Sequence, residues 1–315
     1  MRFTHTGEQA DFARTLEKLL AGADTVAAAR AWAEGDSAPG LGLWHTLAEQ
    51  GVHALLVPEE FDGMGATPVE LVIAMEAIGR HAVPGPYVES AAFLSQVLTG
   101  EQLSGLAAGT VATVAVPPHT PYALDGDVAE EAYLVDGESL STAGVGEVRT
   151  SIDPSRRLVS VTAAEAVGEL ERAKLRNAFD LAALATAAQL LGAGERILAD
   201  SVTYVKQRKQ FGREIGSYQA IKHQLADVRI ALDFVRPLVD GAAVAPTSRD
   251  CSAAKVAAAD AAYRASRVGL QVHGAIGYTA EFDLSLWLLK VRALVSAWGT
   301  PAFHRARVLE SLVSR

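Results

Sequence analysis

Hydrophobic residues recur with a helical period over the first hundred residues of the chain, and polar residues occupy the opposite positions. The spacing predicts helices at 8–33, 43–50, 69–80 and 86–98. Thr67 followed by Pro68 is a typical helix start, because a threonine side chain caps free backbone N–H groups and proline fits the first turn. We therefore predict an N-terminal helical domain over residues 1–105.

The pattern changes between Leu106 and Glu165. Short runs rich in β-branched residues, bounded by glycine, proline and aspartate, lie at 110–116, 132–136 and 157–162. Such runs are typical of short strands. They predict a small middle β domain over residues 106–165.

The helical period returns after Leu170 and continues to the end of the chain. The predicted helices lie near 177–209, 217–244, 249–272, 281–297 and 301–313. Pro246 and a glycine-containing turn at 273–278 separate some of them. Four long antiparallel helices indicate a C-terminal four-helix bundle domain over residues 166–315, so the predicted fold class is mainly α.

Composition narrows the class of protein. The 315 residues carry a net charge of −9, which makes a basic nucleic-acid-binding face unexpected. The single cysteine, Cys251, cannot form an intramolecular disulfide and fits a reducing compartment. The first ten residues lack the apolar core of a secretory signal, and no apolar run reaches the length of a membrane span. We expect a cytoplasmic protein that binds neither nucleic acid nor membranes.

One segment carries the strongest sign of chemistry, and it runs from Tyr204 to Gln219. Arg208 could bind a pair of phosphate oxygens through two parallel hydrogen bonds, while Phe211 and Gln219 could cover a flat ring. A second segment, 271–278, contains glycines that would let another surface approach the backbone closely. The candidate cofactor-binding residues are Arg208, Gln210, Phe211, Gln219, Gln271, His273 and Gly274, and no metal site is predicted.

Each segment taken alone has a simpler interpretation. Arg208 and Lys209 would then form a solvated helix end, and Gly274 and Gly277 would only interrupt two helices. We favour the functional interpretation because the two segments occur together and in one order with a third, Val57–Gly65 followed by 76–81.

In that order the three segments resemble the acyl-CoA dehydrogenase family, and together they cover both helical parts of the chain. The resemblance implies an acyl-CoA dehydrogenase-like fold and FAD as cofactor. It also implies that the segment 204–219 contacts an FAD held mainly by a neighbouring subunit. The physical interpretation of Arg208 and Gln210 as ligands of a pyrophosphate agrees with this implication.

The resemblance also reveals a missing catalytic group. Family members remove the α-proton of the acyl thioester with a glutamate, which most of them place before a Gly-Thr pair. Trp298 occupies that position here, and Ala182 occupies the position used by a minority of the family. Neither side chain can accept a proton, so no catalytic residue is predicted. Asp180 is a conceivable substitute, but it faces away from Ala182 on a helix and is more simply a first-turn acid that complements the helix dipole.

The middle region is also reduced. About sixty residues stand where full-length relatives carry roughly a hundred or more, and the family's Thr-Glu-Pro signature, which lies against the isoalloxazine ring, is absent. The resemblance therefore indicates a subunit of a heteromeric FAD-dependent acyl-CoA dehydrogenase that is inactive alone. The base and the isoalloxazine pocket would lie on a full-length family member, here called the sister chain.

The expected assembly is an α2β2 heterotetramer with FAD shared at the interface. It would use an acyl-CoA substrate, by subfamily resemblance a steroid side-chain CoA thioester, and an electron-transfer acceptor. Two alternatives stay open at this point. One is a self-sufficient homotetrameric dehydrogenase whose base is Asp180 or another acid, and the other is a non-enzymatic scaffold with this fold.

Overall fold

The computed structural model of the chain describes residues 4–313. The N-terminal part contains α1 (Gly7–Gly22), α2 (Thr25–Ala33), α3 (Ala38–Glu49), α4 (Pro68–Arg80), α5 (Ser95–Val97) and α6 (Glu101–Ala108). A π-helical segment, Val88–Leu94, runs directly into α5. The helix predicted at 8–33 is in fact two helices, because the Asp24 side chain accepts a hydrogen bond from the Ala27 N–H at 3.0 Å and starts α2.

The middle part is a five-stranded sheet. Its strands are β1 (Ala112–Ala115), β2 (Ala123–Leu124), β3 (Glu131–Asp136), β4 (Ser139–Arg149) and β5 (Leu158–Glu169), in the spatial order β1-β3-β4-β5-β2. β1 pairs with β3 in parallel, and the other neighbours are antiparallel. The sequence does not predict β2 and β4, because β2 has only two residues and β4 is interrupted by Gly144 and Gly146.

The C-terminal part is again helical. Its helices are α7 (Arg172–Gln207), α8 (Gln219–Val244), α9 (Ser248–His273), α10 (Leu284–Leu294) and α11 (Pro301–Val313), with a short hairpin of β6 (Lys209–Gln210) and β7 (Arg213–Glu214) between α7 and α8. Helices α7, α8, α9 and α10 pack together, and α11 lies against α9. The predicted fold class is confirmed. Within the described range, no helix has the length and apolar character needed to cross a bilayer.

The predicted domain limits fall inside regular elements. The limit at 105/106 lies within α6, and the limit at 165/166 lies within β5. One continuous cluster of buried hydrophobic residues extends from Leu16 in α1 to Trp298 after α10. The three-domain division therefore stays a prediction.

The backbones of helices α4 and α7 are in direct contact at two glycines. A Cβ atom added at Gly79 would lie 2.1 Å from the carbonyl oxygen of Gln189, and one added at Gly192 would lie 2.0 Å from the carbonyl oxygen of Glu76. Both distances are far below van der Waals contact between heavy atoms. The two glycines therefore fix how closely the N-terminal helices pack on the bundle that carries the candidate site.

Replacing Gly192 with alanine is expected to lower the free energy of unfolding by roughly 1–3 kcal/mol, because the added methyl group forces α4 and α7 apart. Gly42→Ala is the matched control, since this glycine of α3 has open space at the Cβ position. Alanine is the better helix former there, so Gly42→Ala should raise stability by about 0.5–1 kcal/mol. Urea denaturation measures both changes, and equal effects of the two substitutions would contradict the prediction.

Candidate functional site

The segment that follows α7 forms a tight hairpin. Its two turn residues, Phe211 and Gly212, have φ angles of +51° and +79°. A positive φ suits glycine but is strained for phenylalanine. The Phe211 ring is nevertheless 91% exposed. The guanidinium of Arg213 lies 3.9 Å from the ring centroid of Tyr218 and holds the hairpin beside the start of α8. The hairpin therefore exposes the apolar Phe211 ring to solvent at a fixed place beside α8.

The last turn of α9 lies next to this hairpin. His273 is buried there, with its Nδ1 atom 2.7 Å from the Gly269 carbonyl oxygen and its ring stacked on Tyr204 at 4.2 Å between centroids. Burial lowers the pKa of His273 and favours the neutral ring. His273 therefore joins the ends of α7 and α9. The structure shows the contacts of His273 with Gly269 and Tyr204. Its contact with a cofactor stays a prediction.

The other predicted cofactor-binding residues lie exposed at this end of the bundle: Arg208, Gln210, Phe211, Gln219, Gln271 and Gly274. Among residues 4–313, the four polar side chains in this group form no hydrogen bond or ion pair with the rest of the chain. Gly274 has a φ of +66°, and no atom lies within 4 Å of its Cβ position. These residues fit an FAD approached from outside, because a free guanidinium can bind a pyrophosphate and bare glycine backbone permits close contact.

A groove of about 720 Å³ borders the same surface. Leu270, Gly277 and Tyr278 of the α9 end line it, together with the guanidinium groups of Arg30 and Arg267. Arg30 is held in place by Asp283 at 2.8 Å. Glu34 and Glu281 also line the groove, so it offers room of mixed charge beside the predicted cofactor contacts.

Trp298, which the sequence resemblance places at the usual base position, is a buried core residue. The side chain is 1% exposed and packs against Phe93 and Phe179, with ring centroids 5.1 and 5.8 Å away. Its indole N–H donates to Glu89 Oε1 at 3.1 Å, and its carbonyl oxygen lies 2.9 Å from His304 Nε2. With a backbone φ of +53°, Trp298 is fixed by contacts on both sides. It is a packed core residue with no proton-accepting atom.

Ala182, predicted from the resemblance to stand at the second base position, and the nearby Asp180 both lie inside the bundle. Ala182 is fully buried in α7. Asp180 is buried as well, and its two oxygens accept from Arg307 Nη2 and Ser248 Oγ, both at 2.5 Å. Because α7 begins at Arg172, Asp180 lies in the third turn, so its interpretation as a first-turn acid is wrong. The ion pair and the hydrogen bond occupy the carboxylate and make it a poor substitute base.

Glu89 is a buried carboxyl group that the sequence does not single out. It lies in the π-helical segment and is 1% exposed. Its Oε2 atom has no hydrogen-bond partner in the described structure. Burial raises the pKa of Glu89, while Arg156 opposes this rise. π-Helical turns are frequent at functional sites, but they have no sequence signal that could have identified this residue.

Glu89 and Trp298 line a cavity of about 590 Å³ between the sheet and the end of α10. Tyr122 and Arg156 form other parts of its wall. The Thr120 hydroxyl in the same wall is buried without a partner in the described part of the chain. Trp298 therefore lies in the wall of a cavity that also contains the Glu89 carboxyl group and the Thr120 hydroxyl in its lining.

A second cavity, also about 590 Å³, lies on the other side of His119. The His119 and Phe303 rings pack at a tilt of 41° with centroids 4.0 Å apart, and His119 contributes to the walls of both cavities. Arg172, Arg176 and Arg307 line this second cavity.

Lys255 fixes the end of α10 just before Trp298. It is fully buried, and its Nζ atom donates to the carbonyl oxygens of Leu294 and Val295 at 3.1 and 3.0 Å. Burial lowers the pKa of Lys255 to about 7. The amine therefore closes a helix end whose carbonyl groups have no partner within the helix.

The buried Lys255 should make the free energy of unfolding change with pH in the alkaline range. The folded pKa is below the unfolded value, so between pH 7 and 10 the unfolded chain binds the additional proton and stability rises with pH. We expect a rise of roughly 1–2 kcal/mol between pH 7 and 9. Lys255→Met should flatten this rise in urea denaturation at several pH values, whereas Lys18→Met, at an exposed site on α1, should not. A rise of the same size in Lys255→Met would contradict this assignment.

Comparison with known proteins agrees with this architecture. The family models for the acyl-CoA dehydrogenase N-terminal and C-terminal domains match residues 6–100 and 173–313. Acyl-CoA dehydrogenase IpdE2 of Mycolicibacterium smegmatis is 34% identical over 281 residues, which are 86% of this chain and 88% of that protein. IpdE2 of Mycobacterium tuberculosis is 32% identical over 296 residues, 91% of this chain and 92% of that protein.

Solved structures show the same fold. The crystal structure of the ChsE4-ChsE5 complex from Mycobacterium tuberculosis contains a chain that superposes with a TM-score of 0.85 at 21% identity and covers 100% of both chains. The family models together span most of the chain, and both IpdE2 proteins align over nearly its whole length. The chain therefore belongs to the acyl-CoA dehydrogenase family, whose members are oxidoreductases acting on a CH–CH bond of acyl-CoA thioesters.

Proposed function

We propose that this chain is the base-lacking subunit of a heteromeric acyl-CoA dehydrogenase and contributes FAD-contacting residues to a site on the sister chain. The observation that carries the proposal is a contrast within one molecule. The surface that would reach a neighbour's cofactor is exposed and unpartnered at Arg208, Phe211 and Gly274. The position that would hold this chain's own base is filled by the buried Trp298.

The proposed roles of this chain and the sister chain follow from the reaction. Desaturation removes a proton from the α-carbon and a hydride from the β-carbon, and FAD, when bound, accepts the hydride. Arg208 and Gln210 would bind the pyrophosphate oxygens, Phe211 and Gln219 would cover a flat ring, and Gln271 and the Gly274 backbone would close the contact. The sister chain would supply the glutamate and the isoalloxazine pocket. An electron-transfer acceptor would then reoxidise the flavin.

The relatives support both the assembly and the substrate class. A similar solved structure is named as the ChsE4-ChsE5 complex, which is a pair of different chains. Another, with a TM-score of 0.85 at 22% identity and coverage of 98% of both chains, is named as the Tcur3481-Tcur3483 steroid ACAD. We infer an α2β2 heterotetramer that acts on a steroid-derived acyl-CoA. The reaction would take place in the cytoplasm.

One observation favours a second candidate function. Glu89 is a buried carboxyl group in the wall of the cavity beside Trp298, and its Oε2 atom has no hydrogen-bond partner, so it is the best candidate base for a self-sufficient enzyme. A raised pKa would bring it closer to the range useful for a general base. Asp180 is weaker, because its ion pair with Arg307 occupies it.

Counting flavins and chains separates these candidates. We expect the purified single chain to be colourless and inactive, and the co-expressed complex to contain fewer flavins than subunits by native mass and absorbance. A single chain with one FAD per subunit that bleaches with acyl-CoA would refute the heteromeric proposal. Loss of that bleaching in Glu89→Gln would then assign the base to Glu89. A complex that contains no FAD would support the scaffold alternative.

A further inference from the structure

The cavity of about 590 Å³ beside Trp298 contains polar groups that the chain leaves without a partner. Glu89 Oε2 and Thr120 Oγ1 are both buried, and neither forms a hydrogen bond within residues 4–313. Both residues are fixed by other contacts, because Trp298 donates to Glu89 Oε1 and the Thr120 backbone pairs with Val116. A buried polar atom without a partner costs free energy, and two of them in one wall indicate a ligand that bonds to both.

Arg156 adds a positive charge to the same wall. Its backbone N–H donates to the Asp153 carbonyl oxygen at 3.0 Å, which fixes the residue beside the cavity. Its guanidinium has no hydrogen bond or ion pair with any residue that the structure describes. A planar guanidinium binds a carboxylate through two parallel hydrogen bonds, so a carboxylate is the group that this unpaired side chain fits best.

The charges around the cavity favour an anion. Arg156 and Arg292 line it, and Glu89 is its one acid within the described residues. Burial raises the pKa of Glu89 against the effect of Arg156, so the protonated form of Glu89 is favoured. Burial lowers the pKa of His119, which favours a neutral ring in the same wall. Since the indole N–H of Trp298 occupies Glu89 Oε1, a proton on Oε2 makes Glu89 a hydrogen-bond donor.

The cavity also contains apolar side chains and an opening to solvent. Leu124, Leu158 and Val295 contribute hydrophobic surface. The exposed residues Ile152 and Ser296 line it too, so a ligand can enter from outside. The volume lies within the range of roughly 300–1,000 Å³ in which proteins bind small molecules. We propose that the cavity binds a small organic carboxylate with an apolar body.

The carboxylate would accept hydrogen bonds from Arg156, the Thr120 hydroxyl and the protonated Glu89, while its apolar body would lie against the leucines. A thioester of the same acid has lost the charge that Arg156 would pair, so the free acid is the expected ligand. The inference does not rest on the proposed function, because it requires neither FAD nor the sister chain. It differs from the second candidate function, in which Glu89 would act as a base on an acyl-CoA.

Calorimetric titration of the full chain, alone or in the co-expressed complex, tests the inference. Cyclohexanecarboxylate is the probe, and cyclohexanecarboxamide is its neutral match. We expect a Kd of about 1 mM or tighter for the acid and at least about tenfold weaker binding of the amide. Arg156→Met should weaken binding of the acid by about tenfold or more, and Thr120→Val by roughly threefold to tenfold.

Arg176→Met is the matched control. Arg176 is an exposed arginine that lines the second cavity and has no partner within residues 4–313. It should leave binding of the acid unchanged. If Arg156→Met does not fold, Arg156→Lys keeps the charge and should still lose part of the affinity, because an ammonium cannot form the two parallel hydrogen bonds.

Tighter binding of the acid than of the amide, lost in Arg156→Met and kept in Arg176→Met, supports the proposal. Equal binding of acid and amide, or no binding of either, overturns it. A loss confined to Arg176→Met places the acid in the second cavity and also overturns it. Inorganic phosphate that displaces the acid with equal affinity would show that the apolar body is not recognised, which refutes the proposed ligand class. FAD that binds the single chain and depends on Arg156 would overturn this inference in favour of the self-sufficient enzyme.

Discussion

Replacing Trp298 with alanine is expected to lower the free energy of unfolding by about 3–5 kcal/mol without abolishing turnover of the heteromeric complex. The indole is fully buried against Phe93 and Phe179, so truncation leaves a large cavity. It also removes the indole N–H that donates to the buried Glu89, which adds the cost of a poorly satisfied buried carboxyl group. Catalysis should survive, because the proposed base lies on the sister chain.

Denaturation of the single chain and steady-state turnover of the complex measure the two effects. Trp287→Ala is the matched control, since Trp287 is equally buried but donates to the Arg80 carbonyl oxygen at a different place. Trp287→Ala should lower the free energy of unfolding to a similar degree. If Trp298→Ala does not fold, Trp298→Phe keeps an aromatic ring at the position, leaves a smaller cavity and removes the hydrogen bond to Glu89. A folded complex that lost all turnover in either Trp298 variant would give Trp298 a role in the reaction.

The helices follow from the sequence more closely than the sheet does. The predicted C-terminal helices agree with α7 to α11 within a few residues, because each has a long apolar period and a clear break. The break between α1 and α2 depends on a single cap at Asp24, which does not interrupt the apolar period. Gly144, Gly146 and the exposed residues 144–149 and 162–169 of β4 and β5 remove the alternation by which a half-buried strand is recognised.

The candidate site shows a similar division. The segment from Arg208 to Gln219 could be singled out from the sequence because it is continuous, and its role as a cofactor contact stays a prediction. The interior could not, because its contacts join residues far apart in the chain. The hydrogen bond from Trp298 to Glu89 and the contacts of Lys255 with the end of α10 depend on how separate helices pack. A single sequence has no local signal for such pairs.

Replacing Arg208 with alanine is expected to weaken FAD binding to the complex by about 2–4 kcal/mol, a factor of roughly 30 to 1000 in Kd. The guanidinium is exposed and has no ion pair or hydrogen bond with residues 4–313, so its removal costs the folded chain little. The loss should therefore appear in flavin content and not in thermal stability of the FAD-free chain. Arg208→Lys should recover only part of the affinity, because an ammonium cannot form two parallel hydrogen bonds to a pyrophosphate.

Absorbance of the purified complex gives flavin content, and titration with FAD gives Kd. Arg14→Ala is the matched control, because Arg14 is an exposed arginine of α1 whose partner is Asp11. It should leave FAD binding unchanged. An Arg208→Ala complex that kept its full flavin content and affinity would show that the exposed segment after α7 does not contact the cofactor. In that case the unpartnered guanidinium and the strained, exposed Phe211 would need another ligand to explain them.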